Sequence, residues 1–207
     1  MIKRIILSSI VIILSFISSE NVYAQGTTGS ELGLEGYVGA STLGGNFGLG
    51  LKYGYRVNEN IIIGPSVRIM KGWSSTNGTN YTYSIYGGGG FAHARYGNMV
   101  FGGVELEILH SPFNLGAYSK ATNWVPTLFV GGGFSREFKE IIRINAGVFY
   151  DVINSVNSPF RTSYKMTKTN SLTGEVSGFI PIIYRINFFI RIGKGKEIKT
   201  AEEEEEL

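Results

Sequence analysis

Cysteine is absent from the chain. That excludes disulfide bridges, thiolate catalysis, Cys-based metal sites and a lipid-modified cysteine anchor. Histidine is nearly absent as well, with only His93 and His110 present. Five prolines in 207 residues leave long stretches able to pair as strands. Apart from the run from Ile5 to Ile17, nothing approaches the ~20 apolar residues that a membrane-spanning helix needs. A formal net charge of +3 is too slight to argue for a nucleic-acid partner. What is abundant is Gly (29), Phe (13) and Tyr (12), a composition suited to strands and turns.

Residues 1–24 read as a secretory signal peptide. Lys3 and Arg4 supply the basic start, Ile5 to Ile17 the apolar stretch, and Val22-Tyr23-Ala24 the cleavage site. Residues 25–193 are expected to form one domain. Residues 194–207, with the run Glu202 to Glu206, are expected to be a disordered acidic tail.

The domain alternates with period 2. Tyr184, Ile186, Phe188 and Ile190 face one way, and Arg185, Asn187, Phe189 and Arg191 the other. Ile142, Ile144, Ala146, Val148 and Tyr150 oppose Arg143, Asn145, Phe149 and Asp151. Val104, Leu106 and Ile108 oppose Glu105 and Glu107, and Leu49, Leu51, Tyr53 and Tyr55 oppose Lys52 and Arg56. About eight such runs occur, each long enough for a tilted strand to cross a bilayer, roughly ten residues. The gaps between them are short at 58–60, 96–99 and 136–140, and longer at 74–80, 111–123 and 155–178, with 41–45 the shortest of that second set. Short turns at one end and longer loops at the other are the pattern of a membrane barrel. No amphipathic helix is available to cover an apolar sheet face, whereas closing the sheet with that face toward lipid leaves no backbone edge unpaired.

The expected fold is therefore all-β, an eight-stranded antiparallel up-and-down transmembrane β-barrel. A weak repeat about 40 residues long, Gly48-Leu49-Gly50-Leu51, Gly88-Gly89-Gly90-Phe91 and Gly131-Gly132-Gly133-Phe134, suggests a common register. It sends Leu51, Phe91 and Phe134 to lipid. It turns Gly48, Gly50, Gly88, Gly90, Gly131 and Gly133 inward beside Thr82, Ser84 and Thr127. Glycine at such positions leaves room for long side chains from neighbouring strands.

The inward set is then Glu35, Tyr37, Lys52, Arg56, Arg68, Glu105, Glu107, Arg143, Asn145, Asp151, Arg185, Asn187 and Arg191. Charges in a dry interior must pair or be hydrated. Two readings of this set stay open: a salt-bridge network that plugs the lumen, and a narrow, anion-preferring pore. A third reading inverts the faces into a soluble periplasmic lipocalin-like barrel with an apolar ligand. Tyr53, Tyr55, Tyr96 and Phe188 near the short-turn end, and Trp73, Tyr81, Tyr83 and Tyr150 near the other, are candidate interfacial aromatics. Arg161, Lys165 and Lys168 in the longest loop are candidates for surface contact with phosphate groups.

The chain resembles, in architecture and without a diagnostic motif, the small outer-membrane barrels of the OmpA/OmpX type over residues 31–193. That resemblance implies a place in the bacterial outer membrane, with the chain ends on the periplasmic side. Its expected partners are lipids, lipopolysaccharide and the outer-membrane assembly machinery. Some barrels of this architecture modify lipids. Here, however, His110 and Ser111 lie at a strand end with Glu107 on the opposite face, and His93 is assigned outward. No catalytic site, cofactor or metal is expected, and the barrel is expected to be a monomer.

Overall fold

The computed structural model describes residues 28–41, 44–76, 79–111, 124–139, 141–169 and 176–196. The signal-peptide expectation for 1–24 and the acidic run lie outside these residues. Among the described residues there are ten strands: β1 (Thr28–Ser41), β2 (Gly44–Arg56), β3 (Ile61–Thr76), β4 (Thr79–Tyr96), β5 (Val100–His110), β6 (Trp124–Phe138), β7 (Ile142–Asp151), β8 (Lys165–Thr169), β9 (Val176–Ile180) and β10 (Ile182–Lys196). Eight of them close into a barrel in the order β1-β10-β7-β6-β5-β4-β3-β2, every pair antiparallel, while β8 and β9 form a separate two-stranded sheet. The fold is the eight-stranded antiparallel barrel expected from the alternation. β10 continues to Lys196, past the boundary expected at residue 193.

Closure satisfies each strand on both sides. β1 bonds β2 from Gly29↔Arg56 to Ser41↔Gly44 and bonds β10 from Thr28↔Lys196 to Gly36↔Ile186. At one end the connections are short turns. Asn58 Oδ1 accepts hydrogen bonds from the amides of Asn60 and Ile61, the side-chain mimicry of a turn that Asn favours. Gly97 adopts a φ of 55° in the β4–β5 turn, a left-handed conformation that glycine enters without penalty.

The opposite end differs from the expected set of longer loops. The gap at 74–80 is mostly strand, because β3 and β4 pair out to Thr76↔Thr79. β1 and β2 likewise pair to Ser41↔Gly44. Ser, Thr and Asn read as loop by composition, yet here their backbone groups pair across a hairpin that stands beyond the apolar belt. Only the β5–β6 connection and the segment from Val152 to Pro181 are long.

The inward and outward assignments hold on β1, β2, β3, β5, β6, β7 and β10. On β4 they are reversed. Phe91, expected outward, is buried with Ile85, His93 and Arg95, whereas Thr82 and Ser84, expected inward, are exposed with Ala92 and Ala94. Gly89 therefore faces inward opposite Glu107, and Gly88 faces outward opposite Ile108. A slip of one residue flips every side chain of a strand. The repeat-based register would have placed Arg95 among the outward apolar residues, at a cost of up to about 2–4 kcal/mol at a bilayer midplane and less near its edges. The alternation of Ala92 and Ala94 with His93 and Arg95 carried the correct register. The glycine repeat did not.

Inward glycines do make room. A methyl group on Gly33 would come within 2.7 Å of the Phe189 ring and 3.0 Å of Lys52 Cβ, whereas one on Gly36, on the outer face, would meet nothing within 4 Å. Gly33→Ala is expected to destabilise the barrel by about 1–3 kcal/mol through overpacking. Gly36→Ala should leave it nearly unchanged. The comparison is read from urea unfolding midpoints of the two variants in detergent micelles.

Candidate functional site in the barrel interior

The middle of the barrel holds three cations and three carboxylates. Lys52 on β2 donates to Glu35 Oε2 at 2.6 Å, to Glu105 Oε1 at 2.6 Å and to Asn187 Oδ1 at 3.1 Å. Arg68 on β3 grips Glu107 with Nε and Nη2 at 3.0 and 2.8 Å and lies 2.6 Å from Glu35. Arg185 on β10 bonds Glu105 and approaches Glu35 and Glu107 at 3.6 and 3.7 Å. All six side chains are fully or almost fully buried. β1 and β5 stand opposite each other in the strand order, so Lys52, between Glu35 and Glu105, links the two sides of the barrel. Fork-shaped contacts such as Arg68–Glu107 are the strong geometry for a buried charge pair.

His93 belongs to this cluster and not to the outer surface. It is buried, with Nε2 2.8 Å from Glu105 Oε1. Its inclusion follows from the corrected β4 register.

Aromatic rings stand above and below the charges. The Arg185 guanidinium sits 4.2 Å from the Phe129 centroid and 5.4 Å from Phe149. Lys52 Nζ lies 5.4 Å from the Phe91 ring. Such contacts are worth about 0.5–2 kcal/mol, most when desolvated. On the side of the longer connections, Met70, Ile85, Leu109, Phe129 and Ile183 form an apolar layer with Tyr37. The segment after β7 folds down onto it. Phe160 packs edge-on against Tyr37 and Phe129, with centroids 5.4 and 5.0 Å apart.

That segment is held by directed bonds. Tyr164 Oη donates to Asp151 Oδ2 at 2.5 Å, and Asn46 Nδ2 donates to the Pro159 carbonyl at 3.1 Å. Ser163 Oγ bonds Asn46 Oδ1 at 2.8 Å, and Tyr83 Oη pairs with Thr162 at 3.0 Å. Burial, and then the neighbouring Asp151 carboxylate, push the Tyr164 phenol well above the ordinary tyrosine range. Asp151, expected among the charged pairs, thus binds the segment rather than a cation. It also accepts from the amides of Leu128 and Ile153. Of the three residues expected to make surface contacts, Arg161 stacks 4.4 Å from the Phe179 ring and Lys165 is exposed. The Lys168 side chain lies outside the described residues.

Toward the short turns a second charged group appears. Arg95 bonds Glu31 at 2.8–2.9 Å and lies 4.7 Å from the Phe189 ring. Arg56 approaches Glu31 at 3.7 Å. Arg143 bonds Glu137, and Arg191 reaches the same carboxylate at 3.0 Å. Glu31, Arg95 and Glu137 were missing from the sequence-based set. Glu31 shares the face of Glu35, and Glu137 that of Gly131 and Gly133, so strand parity carried the signal for both.

The outer surface is apolar. Leu49, Leu51, Ile69, Leu106, Ile108, Val130, Phe134, Ile186 and Ile190 are all exposed, Phe134 at 78%. Tyr53, Tyr55, Trp73, Tyr96, Tyr150 and Phe188 are exposed on the same outer surface. Tyr83 differs from them: it is half-buried and packs against the apolar layer. The Tyr81 side chain is outside the described residues. The Glu107, His110 and Ser111 side chains diverge. Glu107 binds Arg68, His110 stacks on Tyr86 with centroids 4.8 Å apart, and Ser111 Oγ donates to the Asn157 carbonyl.

No family model matches this chain, and no curated protein does. Among solved structures it is similar to the outer membrane protein Ail of Yersinia pestis, described as a backbone structure in a phospholipid bilayer nanodisc. The two share 15% identity with a TM-score of 0.44, over 79% of this chain and 99% of that chain.

Removing one carboxylate from the central cluster strands buried cations. Glu105→Gln is expected to cost about 3–5 kcal/mol, the penalty for breaking a buried pair from one side. Glu137→Gln, in the partly exposed group, should cost under about 1 kcal/mol. Unfolding midpoints of the two variants in the same micelles check the contrast.

Proposed function

We propose that this chain is a monomeric bacterial outer-membrane barrel, exported through a cleaved signal peptide, with a structural or surface-interacting role and a lumen closed by its own side chains. The observation that carries this reading is the sorting of residues between the two faces. Large apolar side chains ring the outside, while Lys52, Arg68, Arg185 and their carboxylates are buried inside. A barrel exposed to water would gain by the opposite arrangement, since apolar area left in water forfeits about 25 cal/mol per Å². Hydrocarbon around the belt removes that penalty. The closed sheet removes the other obstacle, because no backbone group is left unpaired in lipid.

Closure of the lumen is supported at two levels. The Glu35–Lys52–Glu105 contacts run across the middle, and Phe160 and Tyr164 are buried at the end of the longer connections. The role then falls to what faces outward: lipids and lipopolysaccharide around the belt, and the hairpins and loop beyond it. The outer-membrane assembly machinery would insert it. No catalytic step is assigned, since the Ser111, His110 and Glu107 side chains point to three different surroundings.

Two measurements test this reading. The protein from carbonate-washed outer membranes should remain with the membrane and change its mobility on a denaturing gel after boiling. In planar bilayers it should give no unitary conductance. A soluble band without a mobility shift would overturn the membrane assignment, and reproducible single-channel steps would overturn the closed lumen.

A further inference from the structure

The barrel mouth at the short-turn end is a hollow of about 530 Å³ whose lining includes Arg56, Arg143, Lys139, Glu59 and Glu137. Its charges do not balance. Among the described residues, Arg56 and Arg95 share Glu31, and Arg143 and Arg191 share Glu137. Lys139 and Glu59 at the rim offset one another. Two guanidiniums for each carboxylate leave an excess of positive charge at this end of the barrel, and of these groups Arg56, Arg143 and Glu137 line the hollow itself. The imbalance is also seen in the hydrogen bonds. Arg56 and Arg95 are more than nine-tenths buried, yet Arg56 Nε and the Nε and Nη2 of Arg95 have no hydrogen-bond partner among the described residues. A buried guanidinium donor without an acceptor is costly, and a carboxylate entering the hollow would meet the Arg56 guanidinium on its wall.

We infer that this mouth is a binding site for an acidic peptide segment carrying several carboxylates. The excess cations form two groups, each around its own glutamate, so a ligand with spaced negative charges matches them better than one compact anion. The chemistry has two sources. One is in cis: β10 ends at Lys196 at this mouth, paired with Thr28, and the chain goes on to Glu202–Glu206. The five residues between, six Cα–Cα steps, span up to ~20 Å when extended, and tethering supplies an effective concentration on the order of millimolar. The other is an acidic segment of a separate protein. The inference follows from the barrel and its charges and does not depend on the closed lumen.

The test uses the full chain in micelles and a fluorescent pentaglutamate peptide, at about 20 mM and about 0.5 M NaCl. A second chain carries Gln at all five positions 202–206. Binding to this neutralised chain should be saturable at low salt, be lost at high salt, and fall about tenfold or more in Arg56→Gln/Arg143→Gln. Lys139→Gln, at an exposed turn, should weaken binding by a smaller factor and guards against misfolding of the arginine variant. Tighter binding to the neutralised chain than to the natural one, by about tenfold, identifies the chain's own segment as the occupant. Equal binding to both identifies an external one. No saturable binding to the neutralised chain, or binding indifferent to salt and to all three cations, overturns the site.

Discussion

Lys52 reaches Glu35 on β1 and Glu105 on β5, and those strands stand opposite each other in the closed sheet. The interior is organised around that contact. An ammonium group so far from water is tolerable only with its counter-charges at hand, because desolvation costs several kcal/mol per ion. Arg68 and Arg185 bring the cluster to three cations against three carboxylates, with Asn187 and His93 taking further hydrogen bonds. The partners lie on β1, β2, β3, β4, β5 and β10. A change in the register of one strand would leave some of these charges unmatched. The cluster therefore specifies register as well as filling space.

The aromatic layers follow from the same constraint. Phe129 and Phe149 lie against the Arg185 guanidinium, and Phe91 beside Lys52. They exclude water from the ion pairs and offer ring faces to cations whose carboxylates are shared. Small neighbours make this possible. Gly33 leaves the space occupied by Phe189 and the stem of Lys52. Along the barrel the interior runs from the apolar layer through the charge cluster to the cationic mouth. At the far end, Phe160 and Tyr164 close over the apolar layer through bonds to Asp151 and from Asn46.

The two charged groups have different surroundings and different consequences. The central one is balanced and deeply buried, so its physics is that of a packed core with unusually polar members. The one at the short turns opens to a hollow and carries more guanidiniums than carboxylates. Stability arguments apply to the first. Recognition of an outside charge is the natural consequence of the second.

Much of this was legible from residue order. Strand parity alone placed Glu35, Lys52, Arg56, Arg68, Glu105, Glu107, Arg143, Arg185 and Arg191 inside, because side chains alternate with a strict period of two and the outward partners are apolar. The same rule should have found Arg95 and His93. It was overridden on β4 by a glycine repeat, and glycine has no side chain to declare a face. Composition likewise disguised the ends of β3 and β4, where Ser, Thr and Asn continue as paired hairpin. The sequence by itself determined the barrel, its strand number and the sign of nearly every face, since these depend on local alternation. Only the tertiary structure decided which cation meets which carboxylate, that Asp151 serves Tyr164, and that the loop after β7 folds inward. Those depend on strand order, stagger and closure, which bring together residues far apart in the chain.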